Sequence, residues 1–298
     1  MSCELKPLGR IAKGLHRPEC VLVADDEGLI VSDSRGGVTR INHVGGTVHL
    51  PCPGETTNGV ALDRDGTLYL AGIDTGTVHA LQPDGSTRLI LDQFDGYNLG
   101  AVNFVHFDSC GGLWVTVSTR TVPRSRAIEQ PIPDGYLLKL STTGPVLMAQ
   151  GLCFANEIRF DADMRHLYLA ESARGRVLRM PVLPDGSLGE PSPFGPNPLF
   201  TGAIVDGLAF DVEGALWVTE VTRNGIYRIS RDGNACCLFE DPKGELIDFP
   251  ASIAFGGPNR QTVFVGSIRT DYIFQFQCSV AGAPMWHQSA LSSGDKQW

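Results

Sequence analysis

No stretch of 18 consecutive apolar residues occurs in this 298-residue chain, so no helical membrane span is expected. Nor is there a basic run. The 24 lysines and arginines are outnumbered by 33 acidic residues, for a formal net charge of −9. Nucleic acid is therefore not an expected partner. The eight cysteines contain no Cys-x-x-Cys pair, and two of them, Cys236 and Cys237, are adjacent. They read as reduced thiols. Residues Met1 to Lys6 hold no apolar secretory core, which sets a cytoplasmic location as the expectation. No Gly-x-Ser-x-Gly elbow is present, which argues against a serine hydrolase. The seven histidines, at 16, 43, 49, 79, 106, 166 and 287, show no ligand spacing. No Pro-, Gly- or Ser-rich linker divides the chain, so residues 1–298 are expected to form one domain.

What the chain does contain is one sentence written six times. Its clearest copy is Asp206-Gly-Leu-Ala-Phe-Asp-Val-Glu-Gly-Ala-Leu-Trp-Val-Thr-Glu220. This reads as a short strand, a tight Asp/Gly turn and a second strand, with apolar residues at a period of two. Each copy begins with a polar head: Glu19, Asn58, Asn103, Asn156, Asp206 and Ser252. The heads lie 39 to 53 residues apart. A strand-rich repeat of about 40–50 residues marks a β-propeller. The fold class is therefore all-β, a six-bladed β-propeller. A strand near Leu5 to Ala12 is placed to close the ring against the last blade. Residues 119–134, with three prolines, read as a stiff irregular loop, and the tail from Trp286 to Trp298 shows no periodicity.

In a propeller the innermost strands line a central channel, and equivalent heads converge on one axis. All six heads bear oxygen, and neither histidine nor cysteine is among them. Such a ring suits a hard cation, calcium first. Asn58-Gly59 taken alone is an ordinary turn pair. Asp63, Asp108, Asp161 and Asp211 recur five residues after their heads and need only a turn role. Glu19 and Asp206 have no such use, and two carboxylates near a closed axis repel without a cation.

These segments resemble the gluconolactonase and regucalcin (senescence marker protein-like) family of six-bladed, metal-dependent lactonases, with diisopropylfluorophosphatase more distant. The resemblance is carried by Arg17-Pro18-Glu19, Asn103, Phe154-Ala155-Asn156, Val205-Asp206-Gly207, Glu213 to Trp217, and Ile253 to Gly257. It implies that Glu19, Asn156 and Asp206 bind one divalent cation, with Asn103 binding metal or substrate. Calcium leads; zinc, manganese, magnesium and iron(II) are the other candidates. It also implies that Asp206 is the catalytic residue, as water-activating base or as nucleophile. The sugar-lactone members carry Arg-x-Asn-Asp in blade three, whereas this chain has Ala101-Val102-Asn103-Phe104. A site without those polar partners loses discrimination for a polyol.

The expected activity is metal-dependent hydrolysis of a small-molecule lactone or ester less polar than an aldonolactone. Asn103, Phe104 and Arg120 are the expected substrate contacts, and 119–134 a partial lid. Phe104 facing the blade core is an equal expectation, because alternation turns the residue after a head away from the axis. The other function class is a catalytically silent propeller, or a non-hydrolytic enzyme on the same scaffold.

Overall fold

The computed structural model of the chain describes residues 4–24 and 27–288. Residues 289–298 of the aperiodic tail lie outside the described residues. Six four-stranded antiparallel sheets are arranged as the blades of a propeller. Blade one runs Val21–Val23, Leu29–Ser32, Val38–Ile41 and Thr47–Leu50. The innermost strands of the next four blades are Thr57–Leu62, Val102–Phe107, Ala155–Phe160 and Val205–Phe210. Blade six starts at Pro250–Gly256. It is completed from the other end of the chain. Leu5–Ile11 pairs antiparallel with Ile273–Cys278, Ile11 lying opposite Ile273. This ties the two ends of the chain together in one blade by backbone hydrogen bonds and closes the ring.

The core lies between blades. An aromatic on the second strand of one blade meets a phenylalanine near the end of the next blade's innermost strand. Tyr69 packs on Phe107, Trp114 on Phe160, Tyr168 on Phe210 and Trp217 on Phe255, all edge-to-face at 4.9–5.2 Å between centroids. Each such pair contributes about 0.5–1.5 kcal/mol beyond its buried area. The two indoles are tied to the repeat's turns as well. Trp114 Nε1 donates to Asp108 at 2.8 Å and Trp217 Nε1 to Asp211 at 2.9 Å. The same carboxylates accept from Gly112 N and Ala215 N across the turn. The turn aspartates are thus structural, as their spacing implies.

The fourth, outer strands of blades one to five are absent from the sequence reading, whereas that of blade six, Leu5–Ile11, is where the sequence placed a closing strand. Thr47–Leu50, Thr87–Leu91 and Ala235–Glu240 are largely exposed, so they lack the alternating apolar pattern that marks the inner strands. Residues 119–134 also differ from expectation. They fold into a short helix, Ser125–Glu129, anchored by the buried Ala127. Asp134 pins the start of the loop, accepting from Thr119 Oγ1, Arg120 N and Thr121 Oγ1.

Candidate functional site

Five of the six innermost strands break register at the head. The breaks fall between Thr57 and Val60, Val102 and Phe104, Ala155 and Ile158, Val205 and Leu208, and Pro250 and Ser252. A bulge inserts a residue, bends the strand and re-aims one side chain. Five heads lie at such breaks and Glu19 precedes an unbroken strand, and all six are buried.

A cavity of about 1100 Å³ opens at one end of the channel. Glu19, Asn103, Asn156 and Asp206 line it, so four sequence-predicted residues share one wall of oxygen atoms. Asn58 stands behind them. Its Nδ2 donates to the Asn103 backbone carbonyl (3.2 Å) and Oδ1 (3.3 Å). The sixth head, Ser252, faces Val21 N instead, with Oγ at 3.5 Å.

The electrostatics of this floor are unbalanced. Burial, then the negative fields of Glu19 and Glu157, hold the Asp206 carboxyl well above the usual carboxylate range. Asn156 steadies it with a hydrogen bond and also donates to Ser172 Oγ at 3.1 Å. Glu19 Oε2 is buried and accepts no well-aligned hydrogen bond, although the Arg17 guanidinium stands 2.5 Å away. A buried carboxylate oxygen without an aligned hydrogen bond, beside a carboxyl held above its usual range, suits a hard cation. No group of three or more His, Cys, Asp or Glu side chains among the described residues is placed to hold a metal. The candidate ligand set has two carboxylates and two carboxamides, so it falls below that count.

The residues two positions before the heads form the next layer of the cavity. Arg17, Ala101, Phe154 and Ile204 all line it. Arg17 (φ 52°), Phe154 (φ 61°) and nearby Phe249 (φ 56°) adopt left-handed backbone, uncommon for side chains of this size. Ile73 and Ile268, from the loops after second strands, join Phe154, Ile204 and Phe249 in an apolar collar above the oxygen floor. Val122 and Tyr97 stand at the cavity's outer part, 85% and 66% exposed. Sequence reasoning missed this collar, because the −2 positions share no residue type.

Phe104 is placed differently from the substrate-contact expectation. It is buried in the interblade core, where a Cβ on Gly59 would strike it, with the Arg159 guanidinium 5.0 Å from its ring. The bulge at Asn103 sends the head to the axis and the following side chain inward. Arg120 does line the cavity, its guanidinium 4.7 Å from the Tyr136 ring centre.

Glu157, also missed, is the buried residue after the head Asn156, where two other blades have glycine. Its Oε2 accepts from Arg159 Nη2 at 2.8 Å and from Leu208 N at 3.0 Å. Burial still raises the Glu157 carboxyl, with Arg159 opposing. Other buried carboxylates near the mouth are committed to its loops. Glu55 accepts from Thr75 and Thr77, Glu171 from Cys153 N and Arg176, and Glu220 from Ile204 N and Thr222.

A second cavity, about 660 Å³, opens among the turns at the other end of the channel. His106 lines it, and burial takes this imidazole well below its ordinary pKa. His16 is exposed outside the floor.

The SMP-30/Gluconolactonase/LRE-like region is matched over residues 17–269. The chain belongs to this family. Among its curated relatives, the 6-deoxy-6-sulfogluconolactonase of Pseudomonas putida is 26% identical over 163 residues. That match covers 54% of this chain and about half, 52%, of the relative's own length. Two solved structures share the fold. The gluconolactonase of Xanthomonas campestris is 19% identical, with a TM-score of 0.73 over 92% of this chain and 89% of its own. Regucalcin of Agrobacterium tumefaciens, described as a calcium-binding protein, is 17% identical, with a TM-score of 0.76 over 97% and 100% of the two chains.

Proposed function

We propose that this family member hydrolyses a small lactone or ester at the floor of the 1100 Å³ cavity. The observation that carries the reading is the pair of buried carboxylates, Glu19 and Asp206, facing that cavity beside Asn103 and Asn156. Glu19, Asn156 and Asp206 would hold one divalent cation, calcium first, with Asn103 beside it. When bound, such a cation supplies Lewis-acid polarisation of the scissile carbonyl. Asp206 acts as the base that takes a proton from the attacking water, and the carboxamide of Asn156 holds its carboxylate in place. Asn103 and Arg120 orient the substrate. The lactonase name of the Pseudomonas putida relative and the calcium-binding description of the Agrobacterium tumefaciens protein both support this reading.

The collar of Ile73, Phe154, Ile204, Phe249 and Ile268 supports a substrate whose body is less polar than an aldonolactone. An apolar wall cannot satisfy ring hydroxyls that lose their water on binding. The test is a metal analysis of purified protein, then a lactone and ester panel with and without chelator. The expected result is one divalent cation per chain and hydrolysis abolished by chelator and restored by calcium. Hydrolysis that survives complete metal removal rejects the metal-dependent reading.

A further inference from the structure

Among the described residues, Arg17 is the one cationic side chain in an ion pair with a candidate ligand. Its Nη2 lies 2.5 Å from Glu19 Oε2, and its Nη1 donates to Asn58 Oδ1 at 3.0 Å. Asn58 in turn holds Asn103. Its positive field also acts on Asp206, opposing the fields of Glu19 and Glu157. The guanidinium thus sits where it neutralises the floor. It is also placed to leave. The side chain is 24% exposed, lines the cavity, and has no other partner among the described residues for its remaining N–H groups. The contact with Glu19 is close but poorly aligned, so it is held by charge more than by directed hydrogen bonds. The backbone reinforces the placement. At φ 52° Arg17 occupies a conformation that most side chains avoid, and Glu19 N closes the turn onto its carbonyl at 2.8 Å.

We propose that Arg17 is an internal counter-cation of the site. Its guanidinium occupies the Glu19 side of the floor in the metal-free protein, and a divalent cation binds there only by displacing it. This rests on the metal-dependent reading above and adds what sets the strength of binding. Displacing the guanidinium costs its ion pair with Glu19, and a positive charge that stays within several ångströms of the bound cation still opposes it inside a protein. Arg17 therefore weakens metal binding and keeps the metal-free site from repelling itself. A residue that merely propped Glu19 in position would do the reverse, since its loss would misplace a ligand.

The test is calorimetric titration of chelator-treated protein with calcium, for wild type, Arg17→Gln and Arg17→Lys. Glutamine keeps a donor for Asn58 and removes the charge; lysine keeps the charge. The expected result is calcium binding about tenfold or more tighter in Arg17→Gln and near wild type in Arg17→Lys. Binding that is unchanged or weaker in Arg17→Gln, with wild type binding normally, overturns the proposal and leaves the metal site standing. Tightening in both variants also overturns it, because the charge is then not the cause. Failure of all three proteins to bind calcium, zinc or manganese overturns the metal reading and this proposal with it.

Discussion

Glu157 and Arg159 form an ion pair at 2.8 Å inside the channel, beneath the ring of heads. Both are buried, and Arg159 Nε has no hydrogen-bond partner among the described residues. The pair is therefore expensive to break. Removing one partner strands the other charge in the interior, which costs about 3–5 kcal/mol. Arg159→Met is expected to lose roughly that much in urea denaturation. The double variant Glu157→Gln/Arg159→Met is expected to recover at least half of the loss. A double variant as unstable as the single one would show that packing of the Arg159 side chain on Phe104, not charge, dominates.

Ring closure gives a second prediction. Leu5–Ile11 is the outer strand of blade six and pairs along its length with Ile273–Cys278. Its deletion exposes a row of unpaired backbone groups and unlocks the first blade from the last. A chain starting at Ala12 is expected to melt at least 10 °C lower, by the usual relation of stability to melting temperature, and to aggregate on heating. Differential scanning calorimetry against the full chain checks this.

The propeller was legible because its inner strands repeat. Six heads and four turn aspartates recur at readable offsets. The outer strands of blades one to five were not legible, since strands such as Thr47–Leu50 are stabilised by pairing and show little buried apolar pattern; the closing strand of blade six was. The repeat brought all six heads into view, and the family resemblance singled out Glu19, Asn103, Asn156 and Asp206, the four that line one cavity. Arg17 and Glu157 lie two before and one after a head. The bulge of its strand decides where Glu157 points, and no residue type at 157 announces a bulge; blade one has no such break, and Arg17 is aimed by its own left-handed backbone, which the sequence does not announce either. Phe104 is buried in the core, so of the two orientations the sequence left equal it takes the one alternation favours, and its substrate-contact role falls.

Acid stability should report on blade one. Asp33 accepts from Thr39 Oγ1 at 2.6 Å, and from Arg35 Nη2 at 2.7 Å and Nε at 3.0 Å. Burial alone would raise its carboxyl, but these hydrogen bonds outweigh burial and bring the pKa down to about 2. A folded pKa below the unfolded value gives stability that is full above about pH 4 and fades as pH falls toward 2. Arg35 is partly exposed, so solvent screening trims the contribution to about 1–2 kcal/mol. Asp33→Asn is expected to be less stable by that amount at pH 7. The gap should close below about pH 3 in chemical denaturation. A gap that persists at pH 2 would mean that shape, not charge, sets the cost.

The collar gives the prediction on specificity. Phe249 and Phe154 reach the cavity from left-handed backbone on different blades, above the carboxylates. An aromatic wall there gains from burying an apolar substituent and gives nothing to a ring of hydroxyls. Alkyl- or aryl-substituted lactones are therefore expected to be turned over with higher kcat/KM than gluconolactone. Phe249→Ala should lower kcat/KM for the apolar lactones by about 10–100-fold and change gluconolactone turnover little. Shortening the 119–134 loop, whose Val122, Pro123 and Ile128 also line the cavity, should shift the same preference while calcium affinity stays unchanged. The two classes of substrate must be compared as kcat/KM ratios within each variant, because a general loss of folding lowers both together. A wild-type preference for gluconolactone would show that the polar groups at the mouth, Arg17, Asn98, Arg120 and Thr121, govern recognition. The collar would then serve only to keep water from the floor.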